Sequence, residues 1–317
     1  MTSVLALGLS GVASAPATEP PASELPKTEP PAVVASIRPV HSLAAGVMGD
    51  LGAPALIVRG YGSPHFYQMR PSEARALAGA DVVLWIGEPL ETFLAGPIRN
   101  LGGDARVLSL LQADGLDLHP APTSTLWESG HEHEHDSGSA DPHIWLAPGN
   151  AKAMVDAIVR VLGEVDPERA GTYAANGAAT KSRIDAMAAG IQARLSPVTG
   201  VPFVAMHDSM HYFESAFGLH SVGAVTLDPD RQPSAGSVRE LREHMSAGGV
   251  VCMVTEPQFT PALIEALASE SRLTSAEFDP IGVEAEAAGD SYITMMTGNA
   301  DNLARCLEQG HGSAAAP

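Results

Sequence analysis

The sequence predicts an α/β protein of two lobes, each with a parallel sheet flanked by helices, joined by a long rigid helix. Two observations predict it. Short β-branched runs alternate with helical stretches in two separate series, which is the pattern of parallel strands with helices on the sheet faces. Between the series, residues 150–195 carry helical periodicity for about 46 residues.

Taken in chain order, "MTSVLALGLSGVASA" (1–15) has an apolar core from Val4 to Val12. It is followed by Ala13-Ser14-Ala15 in the A-x-A form of an export signal, although the basic n-region is missing. Residues 16–31 are proline-rich and read as an extended linker. The first series then runs "VVASI" (33–37), a helix near 40–49, "ALIV" (55–58), a helix near 71–79, "DVVLWIG" (81–87), the helical "LETFLAGPIRN", and "ARVLSL" (105–110). Pro, Ser, Gly, His and Asp dominate 111–142, which is loop composition. In 150–195 the one interior breaker is Pro167, so one kinked helix or two helices in line are expected. The second series is "VPFVAM" (201–206), a helix near 208–217, "SVGAVTL" (221–227), a helix near 236–247, "VVCMVTE" (250–256), a helix from about 261, "LTSAEF" (273–278) and a last helix over 291–308.

The chain has 317 residues and a formal net charge of −19, from 37 acidic and 18 basic side chains. That balance excludes nucleic acid as a partner, because no excess of cations displaces phosphate counterions. It suits a protein that meets cations. No run reaches the roughly 18 apolar residues of a membrane span. Cys252 and Cys306 are the only thiols, and in an exported protein they read as one disulfide closing a long loop.

Twelve histidines stand beside those two cysteines. His65 in "GSPHFYQMRPSE", His143 in "ADPHIWLAP" and His207 in "FVAMHDSMHYF" each fall where a strand is expected to give way to a loop. Ligands of open parallel sheets sit outside the carboxyl ends of the strands, so side chains there can converge from both lobes. Asp279 in "AEFDPIG" is a fourth candidate of the same kind. Three neutral imidazoles with a carboxylate or water form a tetrahedral zinc site, although imidazole also suits copper, nickel and iron. His131, His133 and His135 alternate with acids in a Gly/Ser-rich loop, which would bind metal loosely because each event must order the loop. "HDSMH" (207–211) is not the H-E-x-x-H protease motif: Asp208 replaces the glutamate, and the apolar run before it puts His207 at a strand end with Asp208 as an expected N-cap. His211 reads as a helix-surface or supporting residue, and His41, His119, His220, His244 and His311 read as surface. No phosphate-cradling glycine loop and no serine-nucleophile context is present.

Over about residues 32–309 the chain resembles the periplasmic zinc-binding proteins of ATP-driven zinc uptake, the ZnuA type of metal solute-binding protein. The resemblance is carried by "SPHFYQMRPSEARALAGADVVLWIGEPLETF", "HIWLAP", "HDSMHYFE", "EPQF" and "FDPIG". It implies His65, His143 and His207 as ligands of Zn2+, a carboxylate or water as the fourth, and a Cys252–Cys306 disulfide. It implies a stiff helix between lobes that move little, and partners in an ABC transporter permease and its cytoplasmic ATPase. A periplasmic metallochaperone and a monomeric state belong to the same expectation. Some members carry a glutamate directly before the first histidine. Here that residue is Pro64, which leaves Asp279 as the fourth candidate and Glu256 as a more distant one.

The expected division is a signal-like segment and linker (1–31), an N-terminal metal-binding lobe (32–148) with its His-rich loop (119–142), a linking helix (149–196) and a C-terminal metal-binding lobe (197–317). The expected function is a high-affinity zinc receptor of the periplasm, without catalysis, that captures Zn2+ outside the inner membrane and delivers it to the permease. A manganese or iron receptor would trade a histidine for a carboxylate. A zinc hydrolase would need a general base beside an open coordination position. A surface adhesin is a third reading compatible with an acidic exported chain.

Overall fold

The computed structural model describes residues 29–121, 140–227, 248–258, 273–283 and 288–314, with positions 236, 239, 243 and 245. The export-like segment, nearly all of the linker, the run of His131, His133 and His135, and the helix expected from 261 lie outside the described residues, as does most of the helix expected at 236–247.

In the first lobe, β1 (Val33–Ala35), β2 (Ala55–Leu56), β3 (Val82–Trp85) and β4 (Arg106–Ser109) pair in parallel in the order β2-β1-β3-β4. Helices α1 (Arg38–Met48), α2 (Pro71–Ala78) and α3 (Thr92–Leu101) connect them. β1 and most of β3 are apolar without alternation because both sheet faces are covered. A proline stands in the first turn of α1 and of α2, where its missing N–H costs no helix bond. Glu73 reaches back to the Arg70 N–H (2.7 Å) and fixes the start of α2 just after the His65 loop.

The second lobe repeats the topology. β5 (Phe203–His207), β6 (Ser221–Thr226), β7 (Cys252–Thr255) and β8 (Thr274–Glu277) pair in parallel in the order β6-β5-β7-β8. Helix α6 (His211–Phe217) stops at Gly218, whose φ of +66° is the left-handed cap glycine supplies without strain. The last helix, α7 (Ser291–Ala314), is joined to β7 by the Cys252–Cys306 disulfide.

The linking segment differs from the in-line arrangement expected. It forms α4 (Pro148–Val165) and α5 (Ala170–Leu195), separated by a short 3-10 turn at Pro167–Arg169. The chain reverses there: Lys152 pairs with Asp185, Lys181 with Asp156, and Gly177 lies against Val159. Asp166 holds the corner by accepting from the N–H groups of Arg169 and from the Tyr173 hydroxyl (2.8 Å). The long rigid helix between the lobes is therefore α5 alone. It packs on α1, α4 and α7. One continuous hydrophobic cluster runs from Val33 in β1 to Leu307 in α7 and so spans both sheets, beside two smaller clusters.

Candidate metal site

His65, His143 and His207 come together from three distant parts of the chain, each offering a ring nitrogen within 4.8 Å of the others. Their ring centroids are 5.3–5.6 Å apart, and the rings are tilted rather than stacked, so they surround a point. Among the described residues this is the one group of three or more histidine, cysteine or carboxylate side chains so placed.

Of the three, only His207 sits at a strand end, as the last residue of β5. His65 lies in the loop between β2 and α2. His143 heads a 3-10 turn, Ile144–Leu146, and not a strand. The apolar run "IWL" is buried like a strand, but Trp145 spends its indole N–H on the Pro280 carbonyl (2.7 Å) and its carbonyl on the Tyr292 hydroxyl (2.8 Å). Those two bonds tie the His143 turn to the second lobe.

Each buried histidine is oriented by a carboxylate. Asp141 accepts from the His143 backbone N–H (3.0 Å) and lies 2.7 Å from its Nδ1. Glu256 lies 3.1 Å from His207 Nδ1 and accepts from the Ser209 hydroxyl (2.7 Å). An imidazole that donates from Nδ1 to a carboxylate keeps its lone pair on Nε2, the tautomer a metal ligand needs. Burial works against charge on Asp141, yet the His143 imidazole and its hydrogen bonds hold its pKa below the usual value. Burial likewise opposes protonation of His207, but the Glu256 carboxylate prevails and raises it. His65 is driven the other way, to about 2, by burial and then by the imidazoles of His143 and His207. Asp208 is pushed up to about 7 by burial, then by the neighbouring Asp141 and Glu214.

Asp279 is not brought into this cluster. Its carboxylate accepts the N–H groups of Ile281 (3.2 Å), Gly282 (2.8 Å) and Val283 (2.6 Å), and its backbone is paired with the Asn299 amide. It shapes the loop after β8. Asp208 caps nothing: α6 begins at His211, after Met210, with no side-chain cap. Its N–H goes instead to the Thr226 carbonyl. With His207 on a strand and His211 at a helix start, the protease geometry is absent. His211 instead meets the His119 ring edge-on at 5.2 Å, and His119 stacks on Tyr212 at 4.5 Å. His41, expected at the surface, is buried at the start of α1.

Asp141 was missed by reading single residues. The signal was present, since "ADPH" places a carboxylate two residues before the histidine it orients. Three convergent imidazoles, two of them with a carboxylate behind the ring, form a donor set for a borderline dication.

Residues 33–306 match the family described as "ZnuA: Zinc-uptake complex component A periplasmic". The high-affinity zinc uptake system protein ZnuA of Brucella suis biovar 1 is 34% identical over 307 residues, covering 87% of this chain and 92% of that protein. The protein of the same name from Paracoccus denitrificans is 34% identical over 310 residues, covering 89% and 93%. Among solved structures, a crystal structure of ZnuA superposes with a TM-score of 0.74 at 23% identity, covering 88% of this chain and all of that one. The FpvC protein of Pseudomonas aeruginosa in complex with Mn2+ superposes at 0.75 and 20% identity, covering 89% and 99%. At those identities the two structures speak for the fold alone.

Proposed function

The chain belongs to the ZnuA family of periplasmic zinc-uptake components, and from that premise we propose that His65, His143 and His207 hold the zinc ion it carries. The protein is a high-affinity periplasmic receptor that captures Zn2+ and hands it to the permease of an ABC transporter, whose ATPase drives uptake. The ion is cargo, so the site must bind tightly and still release.

The observation that carries this reading is the convergence of three imidazoles, two of them backed by Asp141 and Glu256. An all-nitrogen set suits zinc better than manganese, which prefers carboxylate and water oxygens. Water completes the tetrahedron in this reading, because Asp279 lies outside the cluster that brings the three histidines together. Receptor rather than hydrolase also follows from the carboxylates. Asp141 and Glu256 each face a histidine Nδ1, which orients ligands but does not activate a water.

Native mass spectrometry of protein purified without added metal tests the assignment. One zinc per chain is expected, lost in His143→Ala and not displaced by excess Mn2+. Retention of manganese in place of zinc would overturn it.

A further inference from the structure

Outside the pocket, a second pair of histidines meets with the same ring geometry. The His119 and His211 rings stand edge-on, with 5.2 Å between centroids and 82° between planes. The three pairs within the pocket lie at 5.3–5.6 Å and 48–84°. Two rings meet here rather than three, and both are half-buried, so solvent reaches them. The pair is held by a frame of hydrogen bonds. His119 stacks on Tyr212, with centroids 4.5 Å apart. The His119 N–H donates to the Tyr212 hydroxyl (3.0 Å), which donates in turn to the Asp141 carbonyl (3.0 Å). Asp141 completes the circuit by donating its N–H to the His119 carbonyl (2.9 Å), and a β-bridge joins the adjacent Pro120 and Ala140. His211 opens α6, directly before Tyr212. Rings fixed in this way lose little further freedom when an ion arrives.

An edge-on pair stacked on a tyrosine would also suit plain packing. What packing leaves without a role is the charge beside it. Asp141 uses Oδ1 on the His143 ring and backbone, while its Oδ2 is buried and accepts no hydrogen bond from the protein. A buried carboxylate oxygen without a donor is costly, and a cation nearby offsets that cost. The charge of Asp141 is felt at His211: burial lowers the His211 pKa, Asp141 opposes that shift and the His119 ring adds to it. His211 is thus a neutral base at neutral pH beside a buried anion, the setting in which an imidazole takes a metal.

We propose that His119 and His211 form a second, weaker site for a borderline divalent cation such as Zn2+, with water completing its shell and Asp141 supplying negative charge to it as well as to the pocket. Imidazole nitrogens select zinc, copper or nickel over calcium and magnesium. Two protein ligands in place of three make the site weaker, so it fills after the pocket. The inference goes beyond the receptor reading, since these ligands are separate from His65, His143 and His207.

The test uses the full chain carrying one equivalent of zinc, and the 129–138 deletion treated alike, so that His131, His133 and His135 cannot supply the signal. Further zinc is titrated by calorimetry, and the histidine ring nitrogens are followed by NMR. Both proteins should take up a second zinc more weakly than the first, and that uptake should shift the ring signals of His119 and His211. His119→Gln and His211→Gln keep a polar side chain at each position. Each should weaken the second zinc by at least on the order of tenfold, the loss that follows removal of even a supporting partner, and leave the tight site unchanged. The double variant should lose the second zinc. Absence of a second zinc from the deletion protein would overturn the proposal, as would a second zinc that survives in the double variant or shifts only other histidine rings. Weakened tight binding with the second zinc untouched would also overturn it, by making the pair a support of the pocket.

Discussion

At Asp279 both carboxylate oxygens accept backbone N–H groups of the loop after β8, which holds the side chain in that loop and outside the cluster of His65, His143 and His207. Asp279→Ala should therefore leave the zinc Kd within about threefold of wild type while costing about 1–3 kcal/mol of stability, the usual loss when hydrogen bonds to a charged acceptor go. His65→Ala removes a ligand in the proposed assignment and should weaken zinc by at least the roughly 10–100-fold typical of losing an outer-shell partner. Competition titrations giving Asp279→Ala the larger loss would contradict this. The sequence "FDPIG" admitted both roles, because an aspartate at a strand end before a proline is equally a ligand and a turn former. His41 offers a second residue-scale expectation. Its folded pKa is lowered, so it binds its proton less readily than the unfolded chain, whose histidine titrates near about 6.5. The unfolded state then takes up more protons, and stability at neutral pH is lost as pH falls through that value. His41→Gln keeps a donor for the Pro54 carbonyl without titrating, so its urea stability should decline less than that of wild type between pH 7 and 5. Parallel declines would remove His41 from the account.

The helical hairpin shows what periodicity leaves open at the scale of elements. Both sides of Asp166-Pro167 read as amphipathic helix, and an in-line kink and a full reversal leave the same pattern. The choice is made by packing, chiefly at Gly177, where an added Cβ would lie 2.4 Å from Val159 Cγ2. Alanine there gains helix propensity of about 1 kcal/mol. Even so, Gly177→Ala should lower stability by about 1–3 kcal/mol, because valine is stiff and overpacks rather than yielding. Adding Val159→Ala should relieve part of the loss in a double-mutant cycle, and additive losses would deny the contact. The parallel strands were more legible, because a strand covered on both faces is a continuous apolar run whatever its neighbours. The run "IWL" after His143 shows the limit of that signal. A buried 3-10 turn is also a continuous apolar run, and only the bonds from Trp145 to Pro280 and from Tyr292 distinguish it.

Over the whole molecule, the two sheets share one core, with α5 lying against helices of both lobes. The Ser42 hydroxyl donates to the Gly289 carbonyl and accepts the Tyr292 N–H, adding a direct bond between lobes. Wide hinge opening would expose that shared core, so capture and release must work through small local changes at the ligand loops. Because only the folded chain gathers the three histidines, zinc at about 100 times Kd should add roughly 2.7 kcal/mol of stability. An unchanged melting temperature in excess zinc would argue against a single gathered site.

The central claim is that tight binding belongs to the pocket of His65, His143 and His207 and not to the run of His131, His133 and His135. Calorimetric zinc titration of two variants tests it most directly: deletion of residues 129–138, and His143→Ala. The deletion should retain one tight zinc per chain and lose only weaker, additional binding, because a preorganised pocket does not have to order a loop at each event. His143→Ala should do the reverse, losing orders of magnitude at the tight site while sparing the weak zinc. A deletion that abolished the tight site, with His143→Ala leaving it intact, would contradict the account.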